Sequence, residues 1–449
     1  MDIISILGVV GFKNVCSAFL KPTTPRIEII PMVRHLSSKI LLMHILLIHQ
    51  AFAALDEAGG TRHFEMAGYL VRRGHRVTII ASPVSYLTGQ SRQVGRHWVE
   101  SEMPLPGVTI LRAYTYSALH RSFVHRVFSF LSFMISSFLV GLSVRNVDLV
   151  WGTSPPIFQG VTAWLLARLK GVPFLLEIRD LWPAFAIAVG VLRNPLLIRA
   201  SRWLEGFLYR HADRVLVNSP GFIRHVTGLG ARWVELVPNG ADPTMFDPNL
   251  DGAAFRQQHH LEGKFIALYA GAHGLSNDLG VMIEAARQLA NEDAIRFVLI
   301  GAGKEKAGLM AQTQTLGLSN VLFLPPIPKA DMNQALAASD ACVAILKPID
   351  WYKTTYPNKV FDYMAAGRPV VLAIDGVIRQ VVEEAGAGVF VPPGDPAALA
   401  EAVRRLAKNL PQAKKMGMAG RVCIEKDFAR EPLTAKLGLI LEEMEKRHA

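Results

Sequence analysis

Short apolar, β-branched runs recur along the chain, each followed by a glycine-containing loop and then by a stretch of helical spacing. The first clear strand falls at 45–49 and leads through Gly59-Gly60-Thr61 into a helix over 62–73, which Gly74 closes. Further strands are predicted at 77–80, 108–112, 147–151, 174–178, 215–217 and 234–237, with an apolar helix at 160–169. Residues 238–264 are punctuated by Pro, Gly, Asn and Asp and hold no long apolar run, so they read as a connection between domains. A second series follows, with strands at 265–270, 297–300, 321–324, 341–346, 369–373 and 388–391. Its helices fit 279–289, 304–316, 331–338, 359–366 and 397–408, and the chain from 414 onward is helical in pattern. Apolar runs that alternate with helices predict parallel sheets covered on both faces. The expected fold class is α/β: two Rossmann-like, doubly wound domains facing a cleft that provides a ligand site. The expected layout is an N-terminal extension at 1–42, domains at 43–245 and 264–425 with a linker at 246–263, and a C-terminal helix at 426–449 returning to the first domain.

Composition adds little to this picture and charge adds more. At 51% hydrophobic and 19% charged residues the chain can fill real cores, which excludes global disorder. Cys16, Cys342 and Cys423 are far apart and have no metal-ligand spacing, which points to a reduced, cytosolic protein without a disulfide framework. Residues 1–250 hold 25 Lys and Arg against 15 Asp and Glu, whereas residues 251–449 hold 23 against 22. A basic first half is expected to meet an anionic partner, such as the inner face of a membrane or a pyrophosphate-linked acceptor. Nucleic acid is excluded as a partner: there is no Lys/Arg block, aromatic RNA-binding signature or zinc finger. The apolar stretch 3–10 lacks a basic flank and makes a poor signal peptide. The stretch 127–144 is uncharged but shorter than the roughly 20 residues a span requires. It carries five serines and is preceded by His120, Arg121, His125 and Arg126, so it reads as an interfacial or a buried core helix.

Four stretches carry candidate chemistry. Gly271-Ala272-His273-Gly274 follows the first strand of the second series, where glycines and a helix start would suit a phosphate or form only a tight turn. Gly301-Ala302-Gly303-Lys304 has the same placement, but Glu305 and Lys306 break both the P-loop and the dinucleotide fingerprints. Thr354-Thr355-Tyr356-Pro357-Asn358-Lys359 runs into a helix that Gly367 ends. Lys359 and Asp362 share its first turn, where a lysine could neutralise a diphosphate and a carboxylate could hold a ribose diol, or the two could form a surface ion pair. Arg179-Asp180 follows a strand of the first series and could position a sugar or phosphate, or pair with each other. Pro238-Asn239-Gly240-Ala241-Asp242 reads first as a turn. No D-x-D, H-E-x-x-H or Cys/His cluster occurs, so no metal is expected, and no G-x-S-x-G elbow supports hydrolase chemistry.

Taken together these stretches resemble the family-four retaining glycosyltransferases of the GT-B fold. The resemblance rests on Gly59-Gly60-Thr61 and RRGHRVTII, LEIRDLWP, HADRVLVNSP, VPNGAD, YAGAHG, LIGAGKEKAGL, NVLFLPPIPKADM and PNKVFDYMAAGRPVV in order, over roughly 43–430. The branch it most resembles adds amino or deoxy sugars, fucosaminyl and other N-acetylamino sugars among them, during bacterial O-antigen and capsular polysaccharide assembly. The resemblance implies a nucleotide-sugar donor, with UDP preferred, and a lipid-linked saccharide acceptor, with no cofactor or metal. It puts the donor in the second domain. Gly271, His273, Gly274, Gly301, Lys304, Ile327, Thr355, Asn358, Lys359 and Asp362 would lie around it, with Gly60 and Thr61 facing it from the first domain. Arg179, Asp180 and Lys359 are the catalytic candidates. Thr354 stands where the family often has the first of two acids eight apart, and Arg179 where it often has histidine. Three rival readings remain: a nucleotide-sugar 2-epimerase, a non-catalytic membrane-associated sugar-nucleotide binding subunit, and a nucleotide-dependent dehydrogenase, which the broken glycine fingerprint disfavours.

Overall fold

The computed structural model describes residues 42–85, 88–92, 97–117 and 123–448; the stretch 3–10, Cys16, His120 and Arg121 lie outside them. The first half opens with β1 (His44–Ile48), α1 (Arg62–Arg72) and β2 (Arg76–Ala81), then a hairpin of β3 (Val99–Leu105) and β4 (Val108–Ala113). α2 (Phe123–Ser143), β5 (Leu149–Ser154), α3 (Ile157–Lys170) and β6 (Phe174–Ile178) follow. α4 (Ala184–Ala188), α5 (Pro195–His211), β7 (Arg214–Val217), α6 (Ile223–Gly228) and β8 (Val234–Leu236) complete it. The strand order is β3-β4-β2-β1-β5-β6-β7-β8. Every pairing is parallel except β3 with β4. β1 lies at the centre with every side chain buried, because helices cover both of its faces. β3 escapes a periodicity reading: Glu100 and Glu102 give it a polar, largely exposed pattern, as befits an edge strand that must not pair further.

The second half contains α7 (Ala253–Gln258), β9 (Phe265–Ala270), α8 (Leu279–Gln288), β10 (Ile295–Ile300), α9 (Lys306–Thr315) and β11 (Val321–Leu324). α10 (Met332–Ala338), β12 (Ala341–Ile345), α11 (Asn358–Ala365), β13 (Val370–Ala373), α12 (Val377–Glu384) and β14 (Gly388–Phe390) come next. The order β11-β10-β9-β12-β13-β14 is parallel throughout. Alternate residues of β9 serve two cores: Ile266, Leu268 and Ala270 on one face, Phe265, Ala267 and Tyr269 on the other. Cys342 and Cys423 are free thiols.

After α13 (Pro396–Lys408) and α14 (Leu410–Cys423), a π turn at Ile424–Phe428 redirects the chain. α15 (Arg430–His448) then lies along α1 of the first half, Gly438 facing Leu70. Arg430 pairs there with Glu65 at 2.7 Å. Other bonds close the seam between the halves: Ser219 Oγ donates to the Thr354 carbonyl at 2.5 Å, Asn239 Nδ2 to the Tyr356 carbonyl at 2.6 Å, and the Ala330 amide to the Leu55 carbonyl at 3.3 Å. Both doubly wound sheets thus turn their strand ends and βα loops toward one seam.

Candidate functional site

In the second half, the loops after β9 and β10 interlock. The Gly271 amide donates to the Ile300 carbonyl at 2.9 Å and the His273 amide to the Ala302 carbonyl at 2.8 Å. A Cβ at Gly301 or Gly303 would collide with the backbone of the β9 loop, so glycine is required there for close approach and not only for turning. His273 is fully buried beneath this loop. Burial, reinforced by Lys306 and Lys359, pushes it down to about 4 and keeps it neutral. Lys304 is exposed, whereas Lys306 turns back and donates to the carbonyls of Gly301 at 2.8 Å and Leu324 at 2.6 Å. The lysine that braces the loop is therefore Lys306.

Lys359 enters this loop from the first turn of α11. Its Nζ donates to the Tyr269 hydroxyl at 2.8 Å and lies against Gly271, where a Cβ would stand only 2.8 Å away. The Tyr269 hydroxyl in turn donates a hydrogen bond to the Ala272 carbonyl at 2.7 Å. Among the described residues no carboxylate pairs with Lys359, and burial pushes its ammonium down to about 7. Asp362, three residues on, is held by Lys329 at 2.5 Å and by Asn358 Nδ2 at 3.4 Å. Burial raises its carboxyl pKa and Lys329 opposes that rise. Lys359 and Asp362 share the helix turn, but they address different partners and form no pair with each other. Asn358 also accepts from Arg430 at 3.2 Å. Buried Thr355 donates to the Tyr352 carbonyl at 2.9 Å, and half-buried Ile327 packs on the core two residues before Lys329. Gly274 accepts the Asn277 amide at 3.0 Å in the turn before α8.

In the first half a buried carboxylate organises the seam. Glu177 on β6 accepts from Arg62 at 3.0 Å, from His63 at 2.6 Å and from the Trp151 indole at 3.1 Å. Burial alone would raise its pKa, but His63 and Arg62 overcome that and hold it well below the usual carboxylate range. The His49 ring stacks edge-on against His63 at 4.3 Å and is held neutral by burial, by Arg179 and by His63. This cluster fixes the start of α1. A Cβ at Gly60 would meet open space, so backbone is presented there. Thr61 is buried and spends its hydroxyl on Glu65 at 2.6 Å.

Arg179 donates to the Pro155 carbonyl at 2.8 Å, anchored at the end of β6. Asp180 beside it is open to solvent yet enclosed by protein mass, as befits a side chain on a cleft wall. That enclosure pushes its carboxyl up to about 6, against the pull of Arg179. Its charge is felt across the seam by Tyr352, whose hydroxyl donates to Ser276 at 2.5 Å in the β9 loop. Phe185 meets the same tyrosine at 5.3 Å between ring centroids. The structure therefore gathers Gly271, His273, Gly274, Gly301 and Lys359 into one cradle and sets Asn358 and Asp362 beside it. It faces Arg179 and Asp180 toward the seam, and leaves Lys304 outside. Tyr269, Lys306, Lys329 and Glu177 join this arrangement although the sequence did not single them out as candidates; each lies within a stretch that carries the family resemblance. Tyr269 and Glu177 sit inside strands, where they read as core, and each lysine stands beside a more conspicuous candidate, Lys304 or Ile327.

Two family models match this chain. Residues 58–240 match the Glycosyl transferase 4-like domain and residues 264–409 the Glycosyl transferases group 1 domain. The chain carries the two domains of a group 1 glycosyltransferase. Among relatives of this glycosyltransferase is the Escherichia coli (strain K12) protein WcaI, named as a colanic acid biosynthesis glycosyl transferase. The two are 27% identical over 354 residues, 76% of this chain and 86% of WcaI. Solved structures share its GT-B fold. Sucrose-phosphate synthase from Thermosynechococcus elongatus has a TM-score of 0.72 at 20% identity, covering 90% of this chain and 100% of that one. Anabaena HepE in complex with UDP-glucose has a TM-score of 0.67 at 17% identity, covering 89% and 100%.

Proposed function

We propose that this glycosyltransferase moves a sugar from a UDP-sugar to a lipid-linked saccharide during cell-surface polysaccharide synthesis, with retention of anomeric configuration and without a metal. The donor sugar best matching the sequence resemblance is an N-acetylamino sugar of the fucosaminyl type, and the setting is the cytoplasmic face of a membrane. The observation that carries the donor reading is Lys359: a half-buried ammonium set against the Gly271 loop with a phenol and, among the described residues, no carboxylate for company. A group left without an anion in such a place is stabilised by one brought in, and a diphosphate fits. WcaI is named for polysaccharide synthesis, and HepE was solved with UDP-glucose, which supports the same direction.

In this reading the cradle binds the diphosphate through backbone amides and Lys359, and Asp362 holds the ribose once Lys329 yields. As the glycosidic C–O bond to the diphosphate breaks, negative charge grows on the leaving oxygen, and Lys359 meets it. The departing diphosphate takes the proton of the acceptor hydroxyl as the new C–O bond forms on the same face, while Arg179 and Asp180 orient the acceptor. The test is thermal stabilisation by UDP, GDP, dTDP and NAD. A ligand at about 100 times its Kd adds roughly 2.7 kcal/mol. A shift with UDP that Asp362→Asn weakens is the expected result, and NAD alone shifting the melt would overturn the reading. An epimerase would instead convert its donor with no acceptor present.

A further inference from the structure

The helix α2 is apolar on both sides: it packs on the first sheet, yet it also carries an apolar stripe on its outer face. Its sheet-facing side carries Ser129, Ser136 and Ser137, all fully buried, and Gly141, where a Cβ would strike Leu166 of α3. The Ser136 hydroxyl donates to the Tyr114 carbonyl at 2.6 Å, and the Tyr116 amide donates to the Ser132 hydroxyl at 2.9 Å. Small hydroxyl side chains let α2 pack closely on α3 and β4. Phe133 and Val140 also enter the core, but a second set of large apolar side chains points outward: Val124, Phe128, Ile135, Leu139 and Leu142 are between 44% and 58% exposed. Their spacing draws a single stripe along the helix. The span Val124–Ser143 is long and apolar enough to cross a bilayer, but those bonds hold it in the layer over the first sheet.

The neighbouring helices extend the same surface. α2, α3 and α5 pack side by side on one face of the first sheet and share its core. Leu165 and Leu169 of α3 and Leu196 and Trp203 of α5 are exposed on that layer. Across the three helices the one acidic side chain is Glu205, which is buried and already bonded to Tyr209 and His225. None of the three has an acid in its first turn, where the helix dipole would favour one. Basic residues at the ends of α3 and α5 suit the dipole too, but Arg199 and Arg202, both exposed, lie well inside α5. Between the ends of α3 and α5 a surface hollow is lined by Arg168, Arg210, His211, Asp213, Arg232 and Trp233; Asp213 is spent on the Phe174 amide at 2.8 Å.

We propose that the α2–α3–α5 layer is a docking face for an anionic lipid bilayer. The α2 stripe would bury among the acyl-chain boundaries, and the arginines around the hollow would meet lipid phosphates. Avoidance of acids over a whole apolar face is what a negatively charged surface demands, whereas a neutral protein partner would tolerate them. The proposal rests on the transferase reading only for its purpose, since docking would hold the seam near a lipid-linked acceptor.

Flotation of the full chain with phosphatidylglycerol-containing vesicles and with pure phosphatidylcholine vesicles tests it. The wild type is expected to float with the anionic vesicles and far less with the neutral ones. A triple change Phe128→Glu, Ile135→Glu and Leu139→Glu should lower the bound fraction about tenfold or more, with the melting temperature and the UDP-induced shift retained. Arg168→Gln with Arg202→Gln should weaken anionic binding and flatten its salt dependence. A wild type that stays down, or a triple variant that floats unchanged, would overturn the proposal. So would a wild-type dimer that the triple variant turns into a monomer without change in flotation, because the face would then belong to a second copy. The UDP shift reports donor binding separately, so docking and the transferase reading can fail independently.

Discussion

The two walls of the seam hold their buried charges in opposite ways. In the first half one carboxylate, Glu177, is surrounded by donors from Arg62, His63 and Trp151. In the second half one ammonium, Lys359, has the Tyr269 phenol and, among the described residues, no carboxylate. Desolvation is costly for both, but the protein supplies a full counter-charge for only one of them. On the proposed reading the difference separates framework from ligand site: Glu177 shapes the start of α1, whereas Lys359 would meet the donor's anion. Asp362 falls between them, bonded to Lys329 yet placed beside the cradle.

The contrast predicts opposite signs for the same kind of substitution. Glu177→Gln leaves the Arg62 guanidinium buried without its counter-charge and should cost about 3–5 kcal/mol of stability in urea denaturation. A loss under about 1 kcal/mol would show that this network is no framework. Lys359→Gln removes a half-buried ammonium that no carboxylate among the described residues pairs with, so the melting temperature should hold or rise. The loss should appear in turnover: kcat should fall about 100- to 1000-fold, or roughly 2.7–4 kcal/mol, while KM changes little, because the leaving charge is greatest in the transition state. A purely KM effect would place Lys359 in ground-state binding alone.

Asp362→Asn sharpens the intermediate case. Charged hydrogen bonds contribute about 1.5–3 kcal/mol, so UDP affinity should weaken roughly 10- to 100-fold in calorimetry. Binding of UDP equal to wild type would mean that Lys329 never releases the carboxylate and that the ribose lies elsewhere.

How much of this could be read in advance depends on what each residue's neighbours in sequence reveal. β9 and β11 fall where apolar runs predict them: β9 is buried on both faces and leaves an unbroken apolar record, and half-buried β11 at the sheet edge is apolar along its length too. β3 did not, since an edge strand carries polar residues such as Glu100, Ser101 and Glu102 and shows no apolar run. Gly271, His273, Gly301 and Lys359 were legible as motif positions, and the fold brings them together. Lys304 was the natural lysine of its loop, yet the helix begins later than expected, at Lys306, and that residue turns inward. Tyr269 reads as core and Glu177 as an oddity within a strand. Their roles come from partners 90 and 115 residues away in the chain, which no local pattern encodes. The stripe on α2 is the clearest case of sequence ambiguity: apolar content alone could not say which side of the helix faced the sheet.

The smallest effect expected from the Lys359 contrast is a proton. Burial holds the folded Lys359 near 7, well below the unfolded value of about 10.4. Below pH 7 both states carry the proton, and the folded chain bears the full cost of a buried ammonium. Between about pH 7 and 10 the unfolded chain still binds the proton and the folded chain has lost it, so this group makes stability rise with pH across that window. A bound diphosphate reverses the preference, since it stabilises the ammonium. At about pH 8, UDP binding should therefore take up close to one proton, visible as a binding enthalpy that varies with the ionisation heat of the buffer. UDP affinity should also fall by up to about tenfold for each pH unit above 7. Lys359→Gln should abolish both the uptake and the slope. Equal uptake in the variant would assign the proton to another group, such as the diphosphate itself, and would leave Lys359 as a buried lysine with no anion to meet.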